Sequence, residues 1–316
     1  MNKWGGNMTR QVQQVKFIIG QREELIPDQE SSGNFEMVDD TFKDMIGLDQ
    51  VKSMLKAIIA RHIINEKRLE KGLAFETQSL HMLFYGNPGT GKTTAARLIA
   101  ALFKKLNLID KGHLIEVERA DLVGEYIGHT AVKTRDLIKK AEGGILFIDE
   151  AYSLGRGGEK DFGREAVDTL VKHMEDQSHP FILILAGYEK EMSSFLKLNS
   201  GLKSRFSHVI QFSDYKKDEL MKIAEMIFSK KDYKLSQGAR ERFSRYLHIQ
   251  EAVSDNGRFI RNLVEAVTRA QALRLMKGSA FSKTDLIMLT EADVASGAAD
   301  FDRQNGKEME RFHPFM

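Results

Sequence analysis

Not one cysteine occurs among the 316 residues, which excludes disulfides, zinc ribbons and thiol catalysis and fits a reducing compartment. Long apolar runs are missing too. Runs such as Ile145 to Ile148 and Phe181 to Ala186 fall far short of the ~20 residues that a membrane span needs. Excess charge is also absent: 47 Lys and Arg against 45 Asp and Glu leave +2, so no global field draws the chain to nucleic acid or an anionic membrane. The N-terminus lacks the charged, apolar, small order of a signal peptide, and no repeat at a period of about 20 to 50 residues is visible. These absences predict a cytoplasmic protein with no membrane partner.

What is present divides into three stretches. Residues 1–40 hold one apolar run, Val15 to Ile19, and then the polar segment Pro27-Asp28-Gln29-Glu30-Ser31-Ser32-Gly33-Asn34, which reads as an arm and linker. Over 41–213, an amphipathic helix carrying Met45, Leu48, Val51, Leu55 and Ile58 leads into short apolar strands that alternate with helical stretches. The strands are expected at His81 to Tyr85, His113 to Val117, Gly144 to Ile148, Phe181 to Ala186 and Val209 to Phe212. That alternation predicts an α/β fold, a parallel sheet with helices on both faces. Over 214–316 the strand pattern stops and helices dominate, at Leu220 to Phe228, Ala239 to Leu247, Phe259 to Met276 and a short one after Thr290. This predicts a small all-helical domain. Thr290 and Asp293 have capping-box spacing.

The chemistry gathers in the middle stretch. Gly86-Asn87-Pro88-Gly89-Thr90-Gly91-Lys92-Thr93 fits G-x-x-x-x-G-K-[ST], and it follows a predicted strand and opens a predicted helix, as a phosphate-binding loop does. Its glycines let backbone N–H groups turn toward phosphate oxygens, Lys92 supplies a point charge on the outer phosphates, and the Thr93 hydroxyl can hold magnesium. Gly144-Ile145-Leu146-Phe147-Ile148-Asp149-Glu150 is a buried strand ending in two carboxylates. Asp149 is placed to hold magnesium through water, and Glu150 to orient and deprotonate an attacking water. Together they point to ATP hydrolysis. Asp161-Phe162-Gly163 is no kinase signature, since neither H-R-D nor G-x-G-x-x-G occurs. The nine histidines show no H-E-x-x-H and no clustered ligand spacing. One stretch stays odd: Asp121-Leu122-Val123-Gly124-Glu125-Tyr126-Ile127-Gly128-His129 sets two large apolar side chains between glycines, on no periodic face.

With the helix entry from Phe42 to Val51, the Gly86–Thr93 loop, Asp149-Glu150, the Gly124–Gly128 loop and Asn256-Gly257-Arg258, the chain resembles an AAA+ ATPase. It is most similar to the group that holds a stage V sporulation protein and the red-type rubisco activases, nearer the sporulation branch. The resemblance spans about residues 40–295 and implies a P-loop parallel sheet followed by a helical lid, with ATP and magnesium as cofactors. It implies that Ile46 and Gly47 contact the adenine, that Thr94 joins the phosphate loop, and that Arg258, or else Arg261, reaches back from the lid to the phosphates. Arg205 matches the arginine finger offered to a neighbouring subunit's ATP, where a guanidinium suits the charge on transferring phosphoryl oxygens. Tyr126 and Ile127 would face the central pore of a ring homo-oligomer, a hexamer, and grip a protein client, with Gly124 and Gly128 permitting movement. Relatives in the wider superfamily place Asn or Thr after the Phe181–Ala186 strand; here Ala186-Gly187-Tyr188 stands, and Tyr188 can take that water-positioning role through its hydroxyl. The other reading is a nucleic-acid motor or clamp loader. It calls for basic stripes and stacking aromatics, whereas Lys133, Arg135, Lys139 and Lys140 read more simply as a solvated helix face.

Overall fold

A computed structural model describes residues 29–305 apart from 76–78, 127, 158–160, 176–179, 251–254 and 279. Of the expected N-terminal arm, 1–28 lies outside the described residues. The expected linker is corrected: α1 runs over Gln29–Thr41, where the polar composition had suggested a turn. Val38 and, just beyond the helix, Phe42 are fully buried, so the packed body begins before residue 41.

Five strands, β1 (Met82–Gly86), β2 (Leu114–Val117), β3 (Ile145–Ile148), β4 (Ile182–Gly187) and β5 (His208–Phe212), form a parallel sheet in the order β2-β3-β4-β1-β5. Side chains alternate between its faces, so two separate cores form. Met82, Phe84, Ile145, Phe147, Ile182 and Ile184 meet α1, α2 (Asp49–Glu70) and α3 (Lys92–Lys105) on one side. Leu83, Leu146, Ile148, Leu183 and Leu185 meet α4 (Arg119–Leu122), α5 (His129–Ala141), α6 (Gly163–Met174), α7 (Glu189–Phe195) and the short α8 (Ser200–Ser204) on the other. Burial on both faces explains why β1, β3 and β4 read as continuous apolar runs. The ring of Phe84 stacks near Phe212 and Phe147, at 5.0 and 6.4 Å between centroids. Truncating it to Ala would cost about 3–5 kcal/mol through the cavity left behind.

The lid packs α9 (Lys217–Lys230), α10 (Gln237–Ile249), α11 (Asn256–Met276) and α13 (Glu291–Gln304) around Leu220, Phe228, Phe243, Leu263 and Val267, with the one-turn α12 (Lys283–Ile287) at its edge. The expected capping box is present, with Thr290 Oγ1 accepting from Asp293 N–H and Asp293 accepting from Thr290 N–H. The helix it starts is 14 residues long, longer than its Ala- and Gly-rich sequence suggested. One detail has no sequence signal: β6 (Lys234–Leu235) and β7 (Met288–Leu289) pair in parallel for two residues within the helical lid. Among the described residues no helix is long and apolar enough to cross a membrane.

Candidate active site

The strand order puts β4 between β1 and β3, so the segments leaving these three strands meet at the carboxyl end of the sheet. The loop leaving β1 turns through Gly89 and Gly91, both at positive φ, and Lys92 opens α3. Lys92 Nζ donates to the carbonyls of Gly86 and Asn87, each at 2.8 Å, and Thr90 Oγ1 donates to Asn87 O at 2.8 Å. Burial holds the Lys92 ammonium below its ordinary range; Asp149 opposes that effect and Arg258 adds to it. Lys92, Asp149 from the sheet and Arg258 from the lid share one cleft.

At the end of β3, Glu150 N–H donates to Asp149 Oδ1 at 2.9 Å, and Glu150 itself takes a left-handed conformation, φ 45°. That backbone turn sends the chain into a 3-10 turn over Ala151–Gly155. Arg156 Nη2 lies 4.0 Å from the Glu150 carboxylate while its guanidinium covers the Tyr152 ring at 4.9 Å. Burial, reinforced by the Glu150 charge, pushes Tyr152 up to about 12. Tyr188, at the end of β4, stands 5.8 Å from Tyr152 between ring centroids, and burial followed by the Glu150 charge raises it too.

The lid closes the third side, and its contacts with the phosphate loop are direct. Gly257 N–H donates to Gly89 O at 3.0 Å, and Tyr215 hydroxyl donates to Thr90 O at 3.0 Å. Asn256, fully buried and at φ 49°, donates to Asp214 Oδ1 at 2.7 Å and Pro88 O at 3.3 Å and accepts from Tyr215 N–H at 2.9 Å. Asn87 Nδ2 donates to the same Asp214 carboxylate at 2.9 Å. Gly89 must be glycine for this approach: at φ +71°, a Cβ there would lie 2.1 Å from Asp255 O and 2.8 Å from Arg258 N.

These segments enclose a cleft of about 670 Å³. Of the residues expected from sequence, the phosphate-loop Gly86, Pro88, Gly89, Gly91 and Lys92 line it, as do Thr93 and Thr94, the acids Asp149 and Glu150, and Ile46, Tyr188, Arg258 and Arg261. Asn87 and Thr90 brace the loop instead through the bonds just given. Gly47, at φ +72°, packs beside Tyr215 and Glu219, where a Cβ would come 2.9 Å from Glu219 Oε1. Arg205 does not line the cleft. It follows α8, its carbonyl accepts from Ser79 Oγ at 2.9 Å, and its guanidinium pairs with Glu175. Tyr126 lies outside the cleft as well, 65% exposed with its ring 5.3 Å from His129, and Ile127 lies outside the described residues. The expectation of two hinge glycines is corrected at one of them: Gly124 is buried and its N–H donates to Thr130 Oγ1 at 2.9 Å. Asn256, Asp214 and Tyr215 had no assigned role in the sequence reading, although the buried Asn of Asp255-Asn256-Gly257 carries a turn signal.

A hydroxyl and two carboxylates beside a lysine suit a hard cation bound partly through water. Among the described residues no group of three acidic, His or Cys side chains forms a closed cage, and magnesium seldom uses one. The donor set thus fits a magnesium ion brought in with nucleotide phosphates.

A phosphate loop, a strand-end acid pair and a basic lid on one parallel sheet define a nucleotide hydrolase of the P-loop class. The family model for "ATPase family associated with various cellular activities (AAA)" matches residues 82–214, and that for the AAA lid domain matches 216–307. Stage V sporulation protein K of Bacillus subtilis is 56% identical over 265 residues, 81% of this chain and 82% of that protein. Protein CbbX of Cereibacter sphaeroides is 38% identical over 298 residues, 91% of this chain and 96% of its own length. The chain belongs to the AAA ATPase family, in the group of these relatives, and is an ATP-hydrolysing enzyme. A solved structure of Thermotoga maritima RuvB matches at TM-score 0.56 with 22% identity, covering 84% of this chain and 73% of that one. At that identity the likeness is one of fold.

Proposed function

We propose that the chain assembles head to tail into a ring of six subunits that hydrolyses ATP to remodel a protein client. The observation that carries this reading is a division of labour: the cleft holds Lys92, Thr93, Asp149, Glu150 and Arg258, whereas Arg205 lies away from it. Lys92 and Arg258 would bind the outer phosphates, Glu150 would take the proton of the attacking water, and Tyr188 would orient that water. Thr93 and Asp149 would hold a magnesium ion, which when bound would supply charge neutralisation on the phosphate oxygens. A neighbour's Arg205 would supply the remaining positive charge. Ile46, which packs with the lid core, and Gly47 flank the face where the base would lie.

Tyr126 and Ile127 would line the central pore, and the exposed ring of Tyr126 offers sequence-tolerant contact to an extended polypeptide. A nucleic-acid client is disfavoured: within the basic run of α5, Lys133 donates to Val123 O and Arg135 to Ala131 O, each at 3.1 Å, so two of its four cations are already engaged by carbonyls. The relative named for stage V of sporulation suggests spore formation as the setting, in the cytoplasm.

Mixing two inactive variants tests the shared site. Arg205→Ala keeps its own Glu150, and Glu150→Gln keeps the arginine it offers its neighbour. Random pairing across a head-to-tail interface therefore rebuilds about one site in four and restores about a quarter of parent ATPase. A mixture that stays inactive, although both variants assemble, would refute the reading.

A further inference from the structure

The Asp161-Phe162-Gly163 segment, which is no kinase motif, has a role in the fold. The Asp161 side chain is 5% exposed and accepts three hydrogen bonds: from Arg119 Nη2 at 2.6 Å, Gly157 N–H at 2.7 Å and Gly163 N–H at 2.9 Å. Arg119 uses a second nitrogen to donate to Ser153 O at 2.6 Å. Ser153 lies in the 3-10 turn after Glu150, and its N–H donates to Glu150 O at 2.8 Å. Arg119 opens α4, and its carbonyl accepts from Val123 N–H at 2.9 Å, one residue before Gly124 and three before Tyr126. The packing leaves no slack: a Cβ on Gly163 would sit 2.1 Å from Leu154 O and 2.9 Å from Arg119 Nη1.

One guanidinium thus ties the base of the Tyr126 loop to the turn that follows Glu150 and to the start of α6. The guanidinium meets these two acceptors with two different nitrogens held in one plane, whereas a lysine presents all its donors from a single nitrogen. The pair resists separation, because parting it would strand the buried Asp161 charge. The geometry points to Arg119 and Asp161 as positioning residues that couple the Glu150 end of the ATP cleft to the Tyr126 loop, so that a change at Glu150 displaces the loop. This rests on the reading of Tyr126 as the client-contacting residue.

The lack of cysteine makes the test clean. Glu125→Cys, at an exposed position beside Tyr126, gives a single labelling site for an environment-sensitive fluorophore. In a Glu150→Gln background the probe's emission should differ between saturating ATP and ADP, with ring size monitored by light scattering. Adding Asp161→Asn, or separately Arg119→Lys, should abolish that difference. With Glu150 intact, the same two substitutions should leave client-free ATP turnover within about two-fold of the parent, because neither residue lines the cleft. A nucleotide-dependent change that survives both substitutions overturns the coupling while leaving the pore reading intact. Turnover that collapses in parallel with the probe signal overturns it too, by showing a general structural role. If the parent shows no nucleotide-dependent change, the loop does not follow the cleft, and the coupling falls together with the reading on which it rests. Arg119→Lys keeps the test open if Asp161→Asn does not fold.

Discussion

Replacing Asn256 with alanine should loosen the lid from the phosphate loop, by an amount that the bonds at that residue set. Alanine leaves Tyr215 N–H without its acceptor at 2.9 Å, a cost of about 1–2 kcal/mol for a partly buried amide. It also removes a 2.7 Å donor to the Asp214 carboxylate, a charged acceptor, for about 1.5–3 kcal/mol, softened because Asn87 still serves Asp214. At φ 49° a β-carbon without a side-chain hydrogen bond adds about 1 kcal/mol of backbone strain. Together these give a loss of about 3–5 kcal/mol, measured by urea unfolding. Asn256→Gly removes the same side-chain bonds but is free of the left-handed strain, so it should be about 1 kcal/mol more stable than Asn256→Ala. Arg258, two residues on, would no longer be held at the cleft, and the Kd for ATP should rise about ten-fold by equilibrium titration. A loss below about 1 kcal/mol for Asn256→Ala, or Gly and Ala variants of equal stability, would refute this account of the contact.

Two further outcomes follow from the site and the core. Glu150→Gln should retain ATP while cutting turnover by about 10²–10⁴-fold, since the amide cannot take a proton; unchanged turnover would remove Glu150 as the base. His81 is buried between Phe181 and Phe206, accepts Leu183 N–H at Nδ1 (2.9 Å), and is pushed by burial down to about 4. The unfolded chain, with the ordinary value near 6.5, binds a proton at this residue between those two pH values while the folded chain does not. The stability from keeping His81 neutral is thus complete above about 6.5 and is lost as pH falls toward about 4, amounting to about 2 kcal/mol by pH 5. His81→Asn keeps an acceptor but cannot titrate, so its unfolding free energy should fall less between pH 8 and pH 5 than the parent's; equal falls would contradict the assignment.

The phosphate loop, the acid pair and the five strands were legible because each depends on residues adjacent in the chain. The strand bounds fall within a residue of the expected ones. Contacts across long separations were not legible. Asn256 meets Pro88 across 168 residues, and as a neutral residue on no apolar face it gave only a turn signal. α1 read as a linker because Ser31-Ser32-Gly33-Asn34 is polar and its buried anchor Val38 comes only near its end. α13 read as short because alanine and glycine leave little apolar period, yet Gly297 permits a close approach to α11, where a Cβ would lie 2.6 Å from Val267 Cα. Positions of Arg205 and Tyr126 outside the cleft became visible only in three dimensions, and the roles proposed for them come from the family resemblance together with those positions.

Because the first turn of α11 is bonded to Gly89, any tilt of that helix would pivot at the phosphate loop. Its 21 residues extend about 31 Å at 1.5 Å each. A tilt of about 10° at that pivot would swing Met276 at the far end through about 5 Å. Exposed Met276 and Leu273 ride on that distal end, where the lid's displacement is greatest.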